Sequence, residues 1–406
     1  MLSFEGPDPY ARAGGLASRV TGLSQQLAAL GHDTDLWFVG NPEAPGHERV
    51  DGVQLHRWCQ WLSALHPRGV YDGELAKEAD YAKSLPTFLL PSILGDLRKR
   101  REVVVLAEEW HTVPCVLHLD ALLRERGLRS RVRILWNANN TFGFERIDWP
   151  ALARAATITT VSRYMKHAMR PCGVDAIVLP NGLEPSAYLD VDSGLERAFS
   201  ERVAGRLLLT KVARFDPDKR WLGTIDVVAA LKRRKQRPLL VARGGMEAHG
   251  HDVLARARAH GLVISDRTLQ PGPEGLIAAL SDTRGVDIVH LTSHLDTEAR
   301  RLLFRGSVSV LANSTHEPFG LVGLEAMAAG GVACTGSSGE DYAVPNQNAI
   351  VLQTAAPEEA VTKLERLQLH PDQARALRRE GVVTARNYAW RSVIERDLIP
   401  QLEIVA

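Results

Sequence analysis

The 406-residue sequence has few cysteines, almost no net charge and no long apolar run. Its four cysteines form no Cys-x-x-Cys pair, which disfavours a zinc site and favours a reducing compartment; they are Cys59, Cys115, Cys172 and Cys334. No apolar stretch approaches the ~20 residues that cross a bilayer, and the N-terminus shows no signal-peptide pattern. These absences favour a cytoplasmic protein.

The charges of the chain nearly cancel. The formal net charge is +1, so bulk charge gives no argument for a nucleic-acid or acidic partner. One basic run, Arg98-Lys99-Arg100-Arg101, is typical of a solvated helix end, but it would also suit anionic lipid, so membrane contact stays open. The histidines show no metal-ligand spacing, and we expect neither a metal ion nor an organic cofactor.

Short apolar runs alternate with helical patterns along the whole chain, which predicts an α/β protein with parallel sheets and crossover helices. The predicted strands lie at residues 33–40, 101–110, 131–138, 156–162 and 176–182, and then at 206–215, 237–245, 285–293, 307–314 and 331–338. Two such series indicate two doubly wound domains, in which ligands bind at the carboxyl ends of the strands.

The domain boundary is expected after Pro180-Asn181-Gly182, because this turn signal precedes a polar, irregular stretch at residues 183–206. We therefore predict domains at residues 1–183 and 184–387. Residues 1–4 look like part of a first strand, since strands commonly have about five or six residues. We expect a few apolar residues to precede Met1 in the native protein, which mass spectrometry would test.

The most informative stretch, residues 313–341, reads NSTHEPFGLVGLEAMAAGGVACTGSSGED. Glu317 and Glu325 flank a Gly-containing turn that runs into a helix near Leu321. The helix N-terminus would present backbone N–H groups to a phosphate; they belong to Phe319, Gly320, Leu321 and Val322. Glu325 would accept hydrogen bonds from ribose hydroxyls, and Glu317 would face the other sugar. The alternative is an ordinary helix start with acidic residues near its dipole.

EPFGLVGLEAMAAG resembles the E-x7-E signature of the retaining nucleotide-sugar glycosyltransferases of family 4 and their glycogen-synthase-like relatives. The resemblance implies the GT-B fold, in which two Rossmann-like doubly wound domains face each other across a cleft. It also implies that Glu317 lies by the donor sugar and that Glu325 binds the nucleotide ribose. A C-terminal helix at residues 388–406 is expected to pack back on the first domain.

Arg214 and Lys219 follow a predicted strand in VARFDPDKRW, and their Arg-x4-Lys spacing matches the cationic pair of this family. Transfer from a sugar nucleotide releases a diphosphate, and without a metal ion protein cations must stabilise its growing charge. The alternative is a pair of surface cations beside Asp216 and Asp218. The family usually has Gly after the Lys, whereas this chain has Arg220.

Two glycine turns are further candidates for the donor site. Gly15, in Ala13-Gly14-Gly15-Leu16-Ala17, lies where a strand turns into a long helix, and it resembles the glycine loop placed against the donor diphosphate. Gly244 ends another predicted strand and would bring the backbone close to the nucleotide. Each is equally consistent with a plain turn. In addition, the loop at residues 339–341 corresponds to one that faces the donor in the family; the alternative is that Glu340 starts a helix.

The acceptor side carries weaker signals. Related enzymes often have a histidine where this chain has Asn139, and Asn hydrogen-bonds a hydroxyl but cannot shuttle a proton. The segment EEWHTVP resembles one that lines the acceptor side, which makes His111 a candidate contact; a structural histidine is the alternative.

The expected activity is metal-independent retaining transfer of a hexose from a nucleotide diphosphate sugar to an acceptor hydroxyl. Arg214, Lys219 and Glu317 would be catalytic. The family is commonly described as using a front-face displacement, in which the leaving phosphate helps to deprotonate the acceptor. The nucleotide base, the sugar and the acceptor, whether sugar, small molecule or lipid-linked, stay open.

Three other functions remain. One is another GT-B activity, such as a sugar-nucleotide epimerase or a phosphorylase. A second is a non-catalytic sugar-nucleotide-binding protein. The third, a nicotinamide dehydrogenase, is disfavoured because the glycine spacing does not match G-x-G-x-x-G.

Overall fold

The computed structural model describes residues 1–403 and divides the chain into two compact units. The first unit comprises Met1–Gly182 together with the chain from Trp390 onward, and the second comprises Leu183–Ala389. Residues 404–406, the end of the predicted C-terminal helix, lie outside the described part. None of the described helices is long and apolar enough to cross a membrane.

The strands are β1 Thr34–Val39, β2 His47–Val50, β3 Val53–Trp58, β4 Val103–Glu108, β5 Val132–Ala138, β6 Thr157–Thr160, β7 Ile177–Val178, β8 Leu207–Val212, β9 Pro238–Arg243, β10 Ile264–Arg267, β11 Ile288–Leu291, β12 Ser309–Ala312, β13 Ala333–Thr335 and β14 Ile350–Val351. The helices are α1 Gly15–Ala29, α2 Gln60–Leu65, α3 Glu74–Arg98, α4 Val113–Glu125, α5 Trp149–Ala155, α6 Arg163–Met169, α7 Ser193–Arg202, α8 Trp221–Arg233, α9 His249–Ala259, α10 Pro273–Ala279, α11 Thr297–Gly306, α12 Leu321–Ala328, α13 Pro357–Leu369, α14 Pro371–Arg386, α15 Trp390–Val393 and α16 Ile399–Glu403.

The first unit contains two sets of strands, ordered β1-β3-β2 and β4-β5-β6-β7. Leu2 forms parallel bridges to both Trp37 and Ala107 and so joins the two sets. Its N–H donates to the Leu106 carbonyl at 2.7 Å, and its own carbonyl accepts from the Glu108 N–H at 2.9 Å. The N–H of Ser3 and the carbonyl of Phe4 also hydrogen-bond to Trp37 and Val39 of β1, so residues 1–4 lie between β1 and β4 as a short strand-like segment.

Helix α1 covers this sheet with an apolar stripe and stops at Gly31, whose φ of 91° suits glycine. Leu23 and Leu27 on that stripe belong to a hydrophobic cluster with Trp390 and Leu398 of the C-terminal helical segment. A Cβ on Gly22 would lie 2.2 Å from the Trp390 indole, so the glycine makes room for the ring. The C-terminal segment is thus part of the core of the first unit.

The second unit is one seven-stranded parallel sheet, ordered β10-β11-β9-β8-β12-β13-β14. Two buried hydrophobic clusters cover its faces: one includes Trp221 and Val361, and the other includes Phe199 and Leu302. The chain runs outward from β8 on one side and from β12 on the other, so the strand order reverses between them. Doubly wound sheets bind ligands at this switch point.

Two details differ from the sequence prediction, and a third agrees with it. The stretch predicted as irregular at residues 183–206 contains helix α7, which begins behind an Asp192 cap whose carboxylate accepts from two backbone N–H groups. The first sheet is not wholly parallel, because β2 pairs antiparallel with β3. The basic run at the end of α3 is a solvated helix end, as predicted: Arg98, Lys99 and Arg100 are exposed.

Candidate active site

The loops that leave β8 and β12 carry the predicted cation and acid, and the structure brings them together. The Lys219 ammonium lies 2.7 Å from Oε2 of Glu317, and both side chains are about one-fifth exposed, at 22% and 18%. The Thr315 N–H donates to the Asp218 carbonyl at 2.7 Å and ties the two loops together. Asp216 caps the short turn before Lys219 by accepting from the Asp218 N–H. The ion pair therefore sits on two loops with fixed spacing.

Glu317 is held by neighbours on both sides. Ser314 donates its hydroxyl to Oε2 of Glu317 at 2.7 Å, and the Glu317 N–H donates to Oγ of Ser338 at 2.9 Å. Glu340, in the predicted donor-facing loop, accepts from the backbone N–H groups of Gly336 and Ser338. Burial, with a smaller effect from the nearby Glu317 charge, raises the pKa of Glu340 to about 7. Glu340 does not start a helix; it fastens this loop beneath Glu317.

Helix α12 begins at Leu321, as predicted, behind a left-handed Gly320 with φ of 82°. A Cβ at Gly320 would lie 2.8 Å from Cγ of Glu340, so both the positive φ and the lack of space favour glycine at this position. The Phe319 ring is buried against Tyr342 and Tyr388, and Tyr342 donates its hydroxyl to the Gly320 carbonyl. The side chain of Phe319 therefore packs in the core of the second unit. Leu321 and Val322, the first residues of the helix, are half-buried.

Glu325 lies one turn into α12 and has a partner. Its Oε1 is 3.3 Å from Nη2 of Arg300 on α11, and the carboxylate side chain is 20% exposed. Burial raises the pKa of Glu325, and the Arg300 charge opposes this shift. The carboxylate is therefore positioned by an arginine rather than by bulk water, as its place in an apolar helix predicts.

Two further predicted site residues of this unit, Arg214 and Gly244, make no contact with the Lys219–Glu317 pair or with Glu325 that the structure shows. The Arg214 side chain is exposed and makes no ion pair within residues 1–403; its carbonyl accepts from the Trp221 indole at 2.8 Å. A Cβ on Gly244 would lie 2.0 Å from the Phe215 ring, so this glycine has a packing reason of its own. Arg220 adopts a left-handed conformation with φ of 51°, a conformation that favours the Gly expected there from the family resemblance.

In the first unit the predicted glycine loop already binds an anion, the carboxylate of Glu5. Oε2 of Glu5 accepts from the backbone N–H groups of Ala13, Gly14 and Ala17 at 3.0–3.2 Å, at the start of α1. Gly15 begins that helix and is exposed. The strand-to-helix turn is an anion site as expected from its glycines, but the chain fills it with its own side chain.

Asn139 and His111 are both engaged by acidic side chains. Asn139 donates its amide to Oε2 of Glu108 at 2.8 Å and its backbone N–H to Oε1 of Glu109 at 2.6 Å. His111 is buried, hydrogen-bonded to Glu74 at 2.7 Å. Burial lowers the pKa of His111, and the Glu74 contact opposes this. The structure thus brings Asn139 beside two glutamates and buries His111 against Glu74.

Glu109 is the residue that the sequence reasoning missed. It is 3% exposed and has φ of 69° with ψ of 162°, a backbone conformation adopted almost only by glycine. Burial is the main reason why the pKa of Glu109 rises to about 8, so the carboxyl is largely protonated at neutral pH. Strain and a neutral acid at the carboxyl end of β4 are typical of functional positions. The available signal was the Glu108-Glu109 pair directly after an apolar strand.

Among the described residues, no three His, Cys, Asp or Glu side chains are grouped as metal ligands. The metal-independent chemistry of the sequence analysis stays a prediction.

Two family models match the chain. The model described as Glycosyltransferase Family 4 covers residues 13–187, and the model described as Glycosyl transferases group 1 covers residues 194–382. A comparison with curated proteins finds no match.

Solved structures match over the full chain. They include a sucrose-phosphate synthase from Thermosynechococcus elongatus, with 18% identity, a TM-score of 0.69 and coverage of 100% of both chains. An E. coli trehalose-6-phosphate protein bound with UDP-2-fluoro glucose has 16% identity, a TM-score of 0.67 and coverage of 100% and 99%. A UDP-forming alpha,alpha-trehalose-phosphate synthase from Burkholderia xenovorans, in complex with glucose-6-phosphate, has 15% identity, a TM-score of 0.66 and coverage of 99% of both.

At these identities the solved structures show a common fold, and the two family models supply the activity class. The chain is a glycosyltransferase of the GT-B fold and belongs with the family 4 enzymes.

Proposed function

We propose that this enzyme transfers a hexose from a nucleotide diphosphate sugar to an acceptor hydroxyl, with retention of anomeric configuration and without a metal ion. The observation that carries the proposal is the Lys219–Glu317 pair at the switch point of the second sheet, with helix α12 beginning three residues after Pro318. A relative bound with UDP-2-fluoro glucose makes a UDP-sugar the first donor to test.

The chemistry follows from the charges. Cleavage of the sugar–phosphate bond leaves negative charge on the diphosphate, which Lys219, the exposed Arg214 and the N-terminus of α12 would stabilise. Glu317 holds the Lys219 ammonium in place at 2.7 Å before the donor arrives. Glu325, oriented by Arg300, would accept from the ribose hydroxyls. The leaving phosphate oxygen would take the proton of the attacking acceptor hydroxyl.

We place the acceptor in the first unit, beside the Gly14–Gly15 turn. A cavity of about 350 Å³ opens there, and its lining includes the side chains of Arg12, Arg68 and Tyr71. Tyr71 donates its hydroxyl to Glu5, the anion that caps α1. Arg68 pairs with Asp72 at 3.1 Å, while Arg12 is exposed. These cations favour an acceptor that carries an anionic group, and a sugar phosphate fits because one relative is in complex with glucose-6-phosphate.

A donor screen tests the first part of this proposal. UDP-, GDP- and ADP-sugars are compared by thermal shift, since a ligand at 100 times its Kd stabilises a protein by about 2.7 kcal/mol. The responding donor is then incubated with glucose 6-phosphate and with glucose, and the anomeric configuration of the product is read by NMR. An α-linked product from an α-linked donor supports retention, and unchanged turnover in EDTA supports metal independence. An inverted product or an EDTA-sensitive reaction would refute the corresponding statement.

Arg12→Gln tests the acceptor assignment. We expect a raised KM for the sugar phosphate, by about 10-fold for one lost charge-assisted contact, with the donor KM unchanged. Arg98→Gln, at the solvated end of α3, is the matched control. Conversion of the nucleotide sugar without any transfer product would instead indicate an epimerase, and use of inorganic phosphate as acceptor would indicate a phosphorylase.

A further inference from the structure

Lys211 is a buried cation in the middle of the second sheet. It is the fifth of six residues in β8 and is 1% exposed. Its ammonium donates to the Leu311 carbonyl and to Oδ1 of Asn313, each at 3.0 Å, and lies 5.5 Å from the centroid of the Trp221 ring. Both of these hydrogen bonds go to the end of β12, and the indole ring provides a cation–π contact.

These contacts span the switch point. β8 and β12 are adjacent parallel strands, with Thr210 paired to Val310, and the strand order reverses between them. Lys211 reaches across this gap just before the two strands end and the two loops begin. The loop after β8 carries Lys219, and the loop after β12 carries Glu317.

The Asn313 end of this contact continues directly to the ion pair. Asn313 is buried, and the next residue, Ser314, donates its hydroxyl to Glu317 at 2.7 Å. Glu317 in turn accepts from Lys219 at 2.7 Å. A chain of short contacts thus runs from the core ammonium to the two groups assigned to the donor diphosphate and the donor sugar.

Stability does not account for a lysine at this place. Transfer of an ammonium from water into a protein interior costs free energy unless a carboxylate and further hydrogen bonds offset it. Within residues 1–403 no carboxylate forms an ion pair with Lys211, and apart from Thr210 the strand around it is apolar. A methionine would fill the same space without this desolvation cost, with the loss of two hydrogen bonds, to Leu311 and Asn313.

We propose that Lys211 is a positioning residue for the transfer reaction, which holds the loop at residues 313–317 against β8 so that Glu317 and Lys219 meet the donor at fixed spacing. This inference rests on the proposed function and extends it by one residue.

The inference has a consequence for pH dependence. Burial is the main reason why the pKa of Lys211 falls to about 7, since the charges nearby partly cancel. Cys334 and Glu317 raise this pKa, whereas Lys219 and Arg220 lower it. Both the neutral amine and the ammonium can donate a hydrogen bond to Asn313. The charged ammonium donates more strongly, and it can hold the Leu311 and Asn313 oxygens at the same time. Activity should therefore decline as pH rises through about 7.

Lys211→Met is the test, with Lys363→Met on α13 as the control. We expect kcat to fall by roughly 10- to 100-fold, the order seen when a reacting group is displaced by about 1 Å. The melting temperature should change little, because the relief of burying a charge and the loss of two hydrogen bonds oppose each other. The decline in activity near pH 7 should disappear in this variant. Asn313→Leu removes the acceptor and leaves the lysine, and its kcat loss should not add to that of Lys211→Met.

The inference is overturned if kcat and its pH profile in Lys211→Met stay within twofold of the control, or if the losses in the double variant multiply. A fall in kcat that only tracks a lower melting temperature would also overturn it, because that is the signature of a structural role. These outcomes differ from failure of the proposed function, in which the unmodified enzyme transfers no sugar from any donor.

Discussion

Glu109→Gln should remove a large part of the pH dependence of stability. Glu109 is buried and its pKa is about 8 in the folded protein, against 4.5 for the ordinary carboxyl. The fold therefore favours the protonated form. This contribution is fully present below about pH 4.5 and is lost as the pH rises to about 8. Gln is isosteric with the neutral acid and keeps an oxygen for the Asn139 N–H, which donates to Glu109 at 2.6 Å.

The magnitude follows from the width of that window. Each pH unit between the two pKa values corresponds to about 1.4 kcal/mol, so the unmodified protein should lose roughly 3–4 kcal/mol between about pH 5 and about pH 8 relative to Glu109→Gln. For a unit of this size the difference amounts to roughly 6–16 °C in melting temperature.

Thermal unfolding of both proteins at these two pH values is the assay. Glu125→Gln is the matched control, because it makes the same chemical change at a side chain that is 69% exposed. The gap between Glu109→Gln and the unmodified protein should widen with pH, and the control should follow the unmodified protein. A gap that stays constant over the whole range would refute a neutral Glu109 in the fold.

Three other predictions concern single positions. Gly320→Ala should lower the free energy of unfolding by about 1–3 kcal/mol, because the φ of Gly320 is 82° and the new Cβ would meet Glu340. Gly223→Ala is the control: a Cβ there has no neighbour within 4 Å, so this variant should raise the free energy of unfolding by about 0.4–1 kcal/mol. Urea titration compares the two variants. Glu325→Gln should weaken binding of the responding nucleotide sugar by about 10-fold in calorimetry, and an unchanged Kd would remove Glu325 from the donor site. Trp390→Ala should destabilise by about 3–5 kcal/mol in the same titration, since the indole fills a glycine-lined space in the first unit; a loss below about 1 kcal/mol would contradict that packing.

Apolar strands were predictable because burial on both faces leaves a continuous signal. The strand β8, with sequence LLLTKV, and the start of α12 at Leu321 both lie where the pattern placed them. Strand β2, with sequence HERV, is exposed at all four residues and carries no apolar signal, so pairing with β3 alone makes it a strand. Helix α3 contains Pro86 and Pro91, which ordinarily predict helix ends.

Some residues of the candidate site could be predicted from the sequence, and others could not. Motif spacing alone assigned Lys219 and Glu317 to one donor site, and the topology puts them in contact because the ends of adjacent parallel strands meet. The role of Glu5 was not predicted, because its carboxylate reaches the start of α1 only after the chain has turned back at residues 6–13. Lys211 looked like one polar residue in an apolar run, and its meaning depends on Asn313, which lies 102 residues later. Contacts of this kind are properties of the fold rather than of any local pattern.

Transfer activity of Lys219→Ala tests the central claim most directly. Lys219 is proposed to stabilise the departing diphosphate, and the loss of one such group lowers kcat by at least about 100-fold. With the responding donor and acceptor at saturation, we predict that loss in Lys219→Ala and in Glu317→Gln, with Lys363→Met at the rate of the unmodified enzyme. Near-normal rates in both variants, with folding intact, would contradict the assignment of the active site to the loops after β8 and β12.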